Sequence, residues 1–142
     1  MNNEELKKKV RSSVDCQSRQ RGFATPVDVL IDISVLPKQK YEDWRLGRVD
    51  FLERVCTVNL NKLSIIMREL RSYAHASGLK PSLCFYKQWG GKRKAGQGGQ
   101  GATALRFSKS GSPEIEKAYA THFVDTKRIE ELKTQRTADS SD

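Results

Sequence analysis

Apolar residues recur at helical spacing in several stretches of this chain and alternate in two others. The clearest stripe is Leu60, Leu63, Met67, Leu70 and Ala74, whose steps of three and four put all five on one helix face. Asn59 ahead of it suits an N-cap and Gly78 behind it a left-handed stop, so the pattern predicts a helix over 59–77. Upstream, Thr25-Pro26-Val27-Asp28 reads as a helix start, with a capping hydroxyl, a proline at the first position and an acid that reaches back. Val27, Leu30 and Ile31 then face inward until about Val35. Pro37 opens a second short helix with Tyr41 and Trp44 on one face and Gly47 as its stop. Phe51, Leu52 and Val55 predict a third over 49–56. Leu6, Val10 and Val14 recur every four residues in a polar stretch, so 1–21 reads as a frayed helix or as disorder.

After Pro81 the period changes to two. Leu83, Phe85, Lys87 and Trp89 alternate with Cys84, Tyr86 and Gln88, and a second alternating run covers Ala104 to Lys109. Between them lies a glycine-rich stretch, 90–103. The expectation is a two-stranded β-hairpin around a mobile loop. Ser112-Pro113-Glu114-Ile115-Glu116 starts a last helix, packed by Ile115, Tyr119 and Phe123. From Asp125 the chain turns polar, and helix is expected no further than Leu132. The predicted fold class is α+β: a mainly helical domain over 22–125 with one hairpin and disordered termini, the polar extension 1–21 being a frayed helix or disordered and the polar tail 126–142 disordered from Thr137.

Composition changes this picture little. The chain has 142 residues, 37% of them hydrophobic, enough for one core. No apolar run approaches the roughly 20 residues of a membrane helix, and the N-terminus lacks the apolar region of a signal peptide. The three cysteines, Cys16, Cys56 and Cys84, are odd in number and widely spaced, which argues for a reducing, cytoplasmic setting rather than a disulfide framework.

Charge changes it more. Between Asn61 and Gly111 lie ten basic residues and one acid, Glu69, an excess equal to the whole net charge of +9. The remainder holds sixteen of each sign. A one-signed segment in an otherwise neutral chain is the footprint of a polyanion partner, or a solubilising face.

Short helix, turn, longer helix, strand, basic loop, strand is an order that resembles a winged helix-turn-helix module. The resemblance is to a fold and docking mode and covers residues 25–110. It implies that helix 59–77 enters the major groove of duplex DNA, with Asn61, Lys62, Ser64, Arg68 and Arg71 on its polar face. It also implies that the wing loop carries Lys92, Arg93 and Lys94 along the phosphates, with Lys87, Arg106 and Lys109 extending the track. Nucleic acid is the expected partner, DNA ahead of RNA, and a homodimer on a palindromic site is compatible with it. Two other readings stand beside it. Tyr86 and Trp89 on the hairpin suit stacking with unpaired bases of RNA or single strands. Alternatively, the basic segment meets an acidic protein, for which an apolar patch at Ile65 and Ile66 would speak.

No catalytic constellation emerges, and no enzyme, metal site or cofactor is expected. Gly96 to Gly101 formally spells GxGxxG, but the residues after it alternate like a strand instead of opening a helix. His75, His122, Cys56 and Cys84 lack metal-ligand spacing. Glu42 and Asp43 are adjacent and diverge on a helix. Ser108, Ser110 and Ser112 read as turn and cap residues.

Overall fold

The computed structural model describes residues 2–89 and 104–140, the last five by backbone alone. The loop 90–103, with Lys92, Arg93 and Lys94, lies outside the described residues.

Helix α1 (Asn3–Arg21) begins where the Asn2 side chain accepts from Glu5 N at 2.8 Å and ends at Gly22, whose φ of 84° is the left-handed stop. The disorder considered for 1–21 gives way to an ordered helix. Leu6, Val10 and Val14 are buried, so their four-residue spacing is a packing stripe. Gly22 is also required sterically, because a Cβ there would lie 2.4 Å from Ile129 Cγ1.

Strand β1 (Phe23–Ala24) leads into α2 (Pro26–Asp32), capped as the sequence suggests: Thr25 Oγ1 accepts from Asp28 N at 3.1 Å and donates to Asp28 Oδ2 at 2.9 Å. Helix α3 (Lys38–Arg45) buries Trp44 completely, and Gly47 follows with φ 78°. The third predicted helix is only a 3₁₀ turn, Leu52–Val55. Helix α4 (Leu60–Ala76) buries Leu63, Ile66, Leu70 and Ala74, with Asn59 accepting from Lys62 N at 2.9 Å.

The β structure departs from expectation. Strand β2 is Lys80–Leu83, and its partner β3 is Thr121–Val124, within the stretch read as the end of the last helix. The sheet is three-stranded and antiparallel in the order β1-β3-β2, with Pro81 on an edge strand as its missing N–H requires. The predicted two-stranded hairpin reduces, among the described residues, to one bridge between Lys87 and Ala104 and the bond from Leu105 N to Tyr86 O at 2.8 Å. The chain after β2 leaves the sheet because its rings have a better place to go. Tyr86 packs 5.5 Å from Trp44, and Trp89 packs 5.7 Å from Tyr41.

Helix α5 (Pro113–Ala120) therefore stops three residues before Phe123. Helix α6 (Thr126–Ser140) runs past the expected end at Leu132 and into the stretch from Thr137 expected to be disordered. Arg128 holds α6 down, its N–H on Asp125 Oδ1 at 3.0 Å and its Nε on Arg19 O at 2.8 Å.

The core joins these parts through aromatics. Trp44 and Phe107 lie 5.2 Å apart, and Phe107 stacks on Tyr119 at 5.6 Å. Trp44 Nε1 donates to Arg106 O at 2.8 Å, which fixes segment 106–107 against α3 and the 3₁₀ turn. On the other side, α1 lies along α4.

Candidate nucleic-acid interface

Helix α4 has three surroundings. Leu63, Ile66, Leu70 and Ala74 face the core, whereas Leu60, which the spacing placed on the same stripe, is exposed and Met67 is only partly buried. One flank is tied to α1: Arg11 pairs with Glu69 at 2.6 Å, and the Tyr73 hydroxyl donates to Asp15 at 2.8 Å. The remaining face carries Asn61, Ser64, Arg68 and Arg71, all exposed.

Lys62 does not belong to that face. It is half-buried and bonds through Nζ to Asn3 Oδ1 on α1. Ile66 is fully buried and Ile65 partly so, which removes the apolar patch considered there.

A groove of about 740 Å³ runs between α4, the 3₁₀ turn, loop 109–110 and α5. Ser64, Arg68 and Arg71 line it from α4, and Lys109 lines it from the loop. Leu60 and Ile115, exposed to 54% and 42%, give it apolar walls. A second hollow of about 430 Å³ continues it past Arg71 to Lys117 and Phe123.

Two acids line the groove, Glu53 and Glu114. Glu53 is engaged: its Oε1 accepts from Lys109 N at 2.9 Å and its Oε2 from the Tyr119 hydroxyl at 2.7 Å. Burial, reinforced by that bond, pushes the Tyr119 pKa up, so it remains a donor. Burial also pushes the Cys56 thiol to about 12, so it stays protonated at neutral pH. No cluster of three potential metal ligands occurs among the described residues, and no described helix is long and apolar enough to cross a membrane.

Several cations elsewhere on the surface hold carboxylates: Arg21 with Asp28 at 2.6 Å, Arg48 with Asp43 at 3.5 Å, Arg54 with Asp50 at 3.6 Å and Arg128 with Glu131 at 3.0 Å. Glu69, the one acid of the basic segment, is held by Arg11 of α1. Arg68, Arg71 and Lys109 make no ion pair among the described residues.

The other sequence-predicted positions go elsewhere. Arg106 folds back on its own loop, donating from Nε to Ser108 O at 2.8 Å and lying 5.5 Å from the Phe51 ring. Lys87 sits beyond the sheet, in a recess shared with His122, while the neighbouring Phe123 points to the α4 side. Lys92, Arg93 and Lys94 are outside the described residues. The structure thus brings together Ser64, Arg68, Arg71 and Lys109, with Asn61 beside them on α4. Sequence reading missed Lys117 and the apolar pair Leu60 and Ile115. The exposed Leu60 at the head of the α4 stripe was their available signal. Compared with protein-family models, curated proteins and solved structures, the chain matches none.

Proposed function

We propose that this protein is a non-enzymatic nucleic-acid-binding protein that meets duplex DNA with the outer face of α4. The observation that carries this is the cluster of Arg68, Arg71 and Lys109 without carboxylate partners, next to the hydrogen-bonding side chains Asn61 and Ser64. Arginine and lysine outside ion pairs offer their charge to phosphates, and Asn61 and Ser64 have the donors and acceptors to read base edges. In this reading α4 acts as the recognition helix of a winged helix-turn-helix, and loop 90–103 is the second backbone contact. The three free cysteines support a reducing, cytoplasmic setting.

Fluorescence anisotropy with a labelled duplex at low salt tests the reading. The triple variant Arg68→Ala/Arg71→Ala/Lys109→Ala is expected to bind at least about ten-fold more weakly, since each phosphate contact adds to affinity. Wild-type affinity in that variant would remove the α4 face from the interface. The apolar walls at Leu60 and Ile115 favour a second reading, an acidic amphipathic protein segment in the groove. Absence of duplex and single-strand binding at low salt, with capture of an acidic amphipathic peptide, would establish it instead.

A further inference from the structure

On the face of the sheet turned away from α4 there is an open recess of about 390 Å³, walled by Phe23, Tyr41, Tyr86 and His122. Its rings are organised around two nitrogenous groups. Phe23 stacks on His122 with centroids 6.2 Å apart, and Tyr86 meets His122 edge-on at 5.7 Å. The Arg45 guanidinium carbon lies 4.9 Å from the Tyr86 centroid and 4.5 Å from that of Trp89.

Hydrogen bonding in this recess is incomplete. Among the described residues, two buried side-chain nitrogens lack a partner, Arg45 Nε and His122 Nε2, and both residues line it. Buried polar atoms are paired in the great majority of cases. Asp28 uses only Oδ2, which accepts from Arg21 and from Thr25; its Oδ1 takes no hydrogen bond from the described residues. Burial lowers the pKa of His122, so at neutral pH its ring is uncharged and offers one donor and one acceptor. Lys87 is exposed at the rim.

These features select a ligand. A simple anion would leave the rings unused, and an apolar ligand would leave the nitrogens unpaired. A flat heteroaromatic ring with donors and acceptors on its edge and a negative charge attached uses all of them. We propose that the recess binds an unpaired nucleobase with its phosphate, the base edge turned to Asp28 and His122 and the phosphate to Arg45 and Lys87. Phe85 and Trp89, exposed to 48% and 43%, extend the recess as platforms for neighbouring bases. The stretch Lys80 to Trp89 contains no acid to oppose a strand laid along it. This site goes beyond the α4 interface: it lies across the sheet and does not need duplex binding.

The chain's two tryptophans make the test direct. Trp44 is fully buried and Trp89 is 43% exposed, so quenching of tryptophan emission reports Trp89. The full chain is titrated with nucleoside monophosphates, with a short single-stranded oligonucleotide and with a blunt duplex. Quenching by the oligonucleotide is expected, and its loss in Trp89→Phe. Arg45→Gln and Phe85→Ala are each expected to weaken binding roughly five- to hundred-fold, the range of one lost stacking platform. Phe85 is exposed, so its variant decides the matter even if Arg45→Gln disturbs the fold. Monophosphates that bind as tightly as the oligonucleotide assign the recess to free nucleotides, and binding of the oligonucleotide alone assigns it to a strand. No quenching by either, or wild-type affinity in Phe85→Ala, overturns the proposal. Duplex binding without single-strand quenching would overturn the recess and leave the α4 reading standing. The reverse result would do the opposite.

Discussion

The Glu116 carboxylate accepts three hydrogen bonds from the segment that precedes its own helix: Phe107 N at 2.9 Å, Ser108 N at 2.7 Å and Ser108 Oγ at 2.6 Å. Phe107 and Ser108 are both fully buried, so these donors have no water to turn to. The loop they belong to carries Lys109, and its placement beside α4 depends on them. Glu116→Ala is expected to cost about 3 kcal/mol, because it strands buried donors that had a charged acceptor. Glu116→Gln, which keeps one acceptor, is expected to cost about half as much on the same grounds. Urea denaturation of the two variants measures the difference, and equal midpoints to wild type would show that the loop is held by Phe107 packing alone. In the sequence this residue is only an acid in the first turn of a helix. Its three partners lie eight and nine residues upstream and are joined to it by a turn that no periodicity describes.

Elements with strong internal signals were readable, and elements defined by partners were not. The α4 helix with its Asn59 cap, the Thr25 cap and the Gly47 stop all depend on residues close in sequence and stand where those residues put them, although in the α4 stripe Leu60 is exposed and Ile66 takes a core place that the spacing did not give it. Strand β3 was hidden because Ile115, Tyr119 and Phe123 keep helical spacing across it, while Thr121 to Val124 is a β-branched and aromatic run. Two periods compete there, and sheet pairing with β1 and β2 decides between them. Helix α1 shows the opposite case. Its polarity suggested a loose extension, yet Val10 is completely buried and α1 ties α4 through Arg11 and Asp15. Removing two methyl groups from that contact is predicted to cost roughly 2 kcal/mol, transfer and cavity terms together. Val10→Ala should therefore lower the unfolding midpoint measured by circular dichroism in the full chain. If α1 were a detachable arm, the midpoint would not move.

At the scale of the whole molecule the charge count was legible before any fold was known, but its placement was not. The basic segment of 61–111 divides over the sheet: Arg68, Arg71 and Lys109 gather on the α4 side, Lys87 reaches the aromatic recess, and Arg106 turns back on its own loop. One polyanion cannot use both faces of a sheet in the same way, so salt dependence should resolve them. For a blunt duplex, each cation that displaces a counterion contributes about 0.9 to the slope of log K against log salt. Arg68→Ala/Arg71→Ala is predicted to flatten that slope by about 2, whereas Lys87→Ala should leave it unchanged. Diffuse attraction by net charge predicts something else, because there a charge counts wherever it sits. Anisotropy titrations over a salt series read the slopes directly. If Lys87→Ala flattens the slope as much per charge as the α4 pair, the localised interface is wrong, and the excess charge acts as a general field around the molecule.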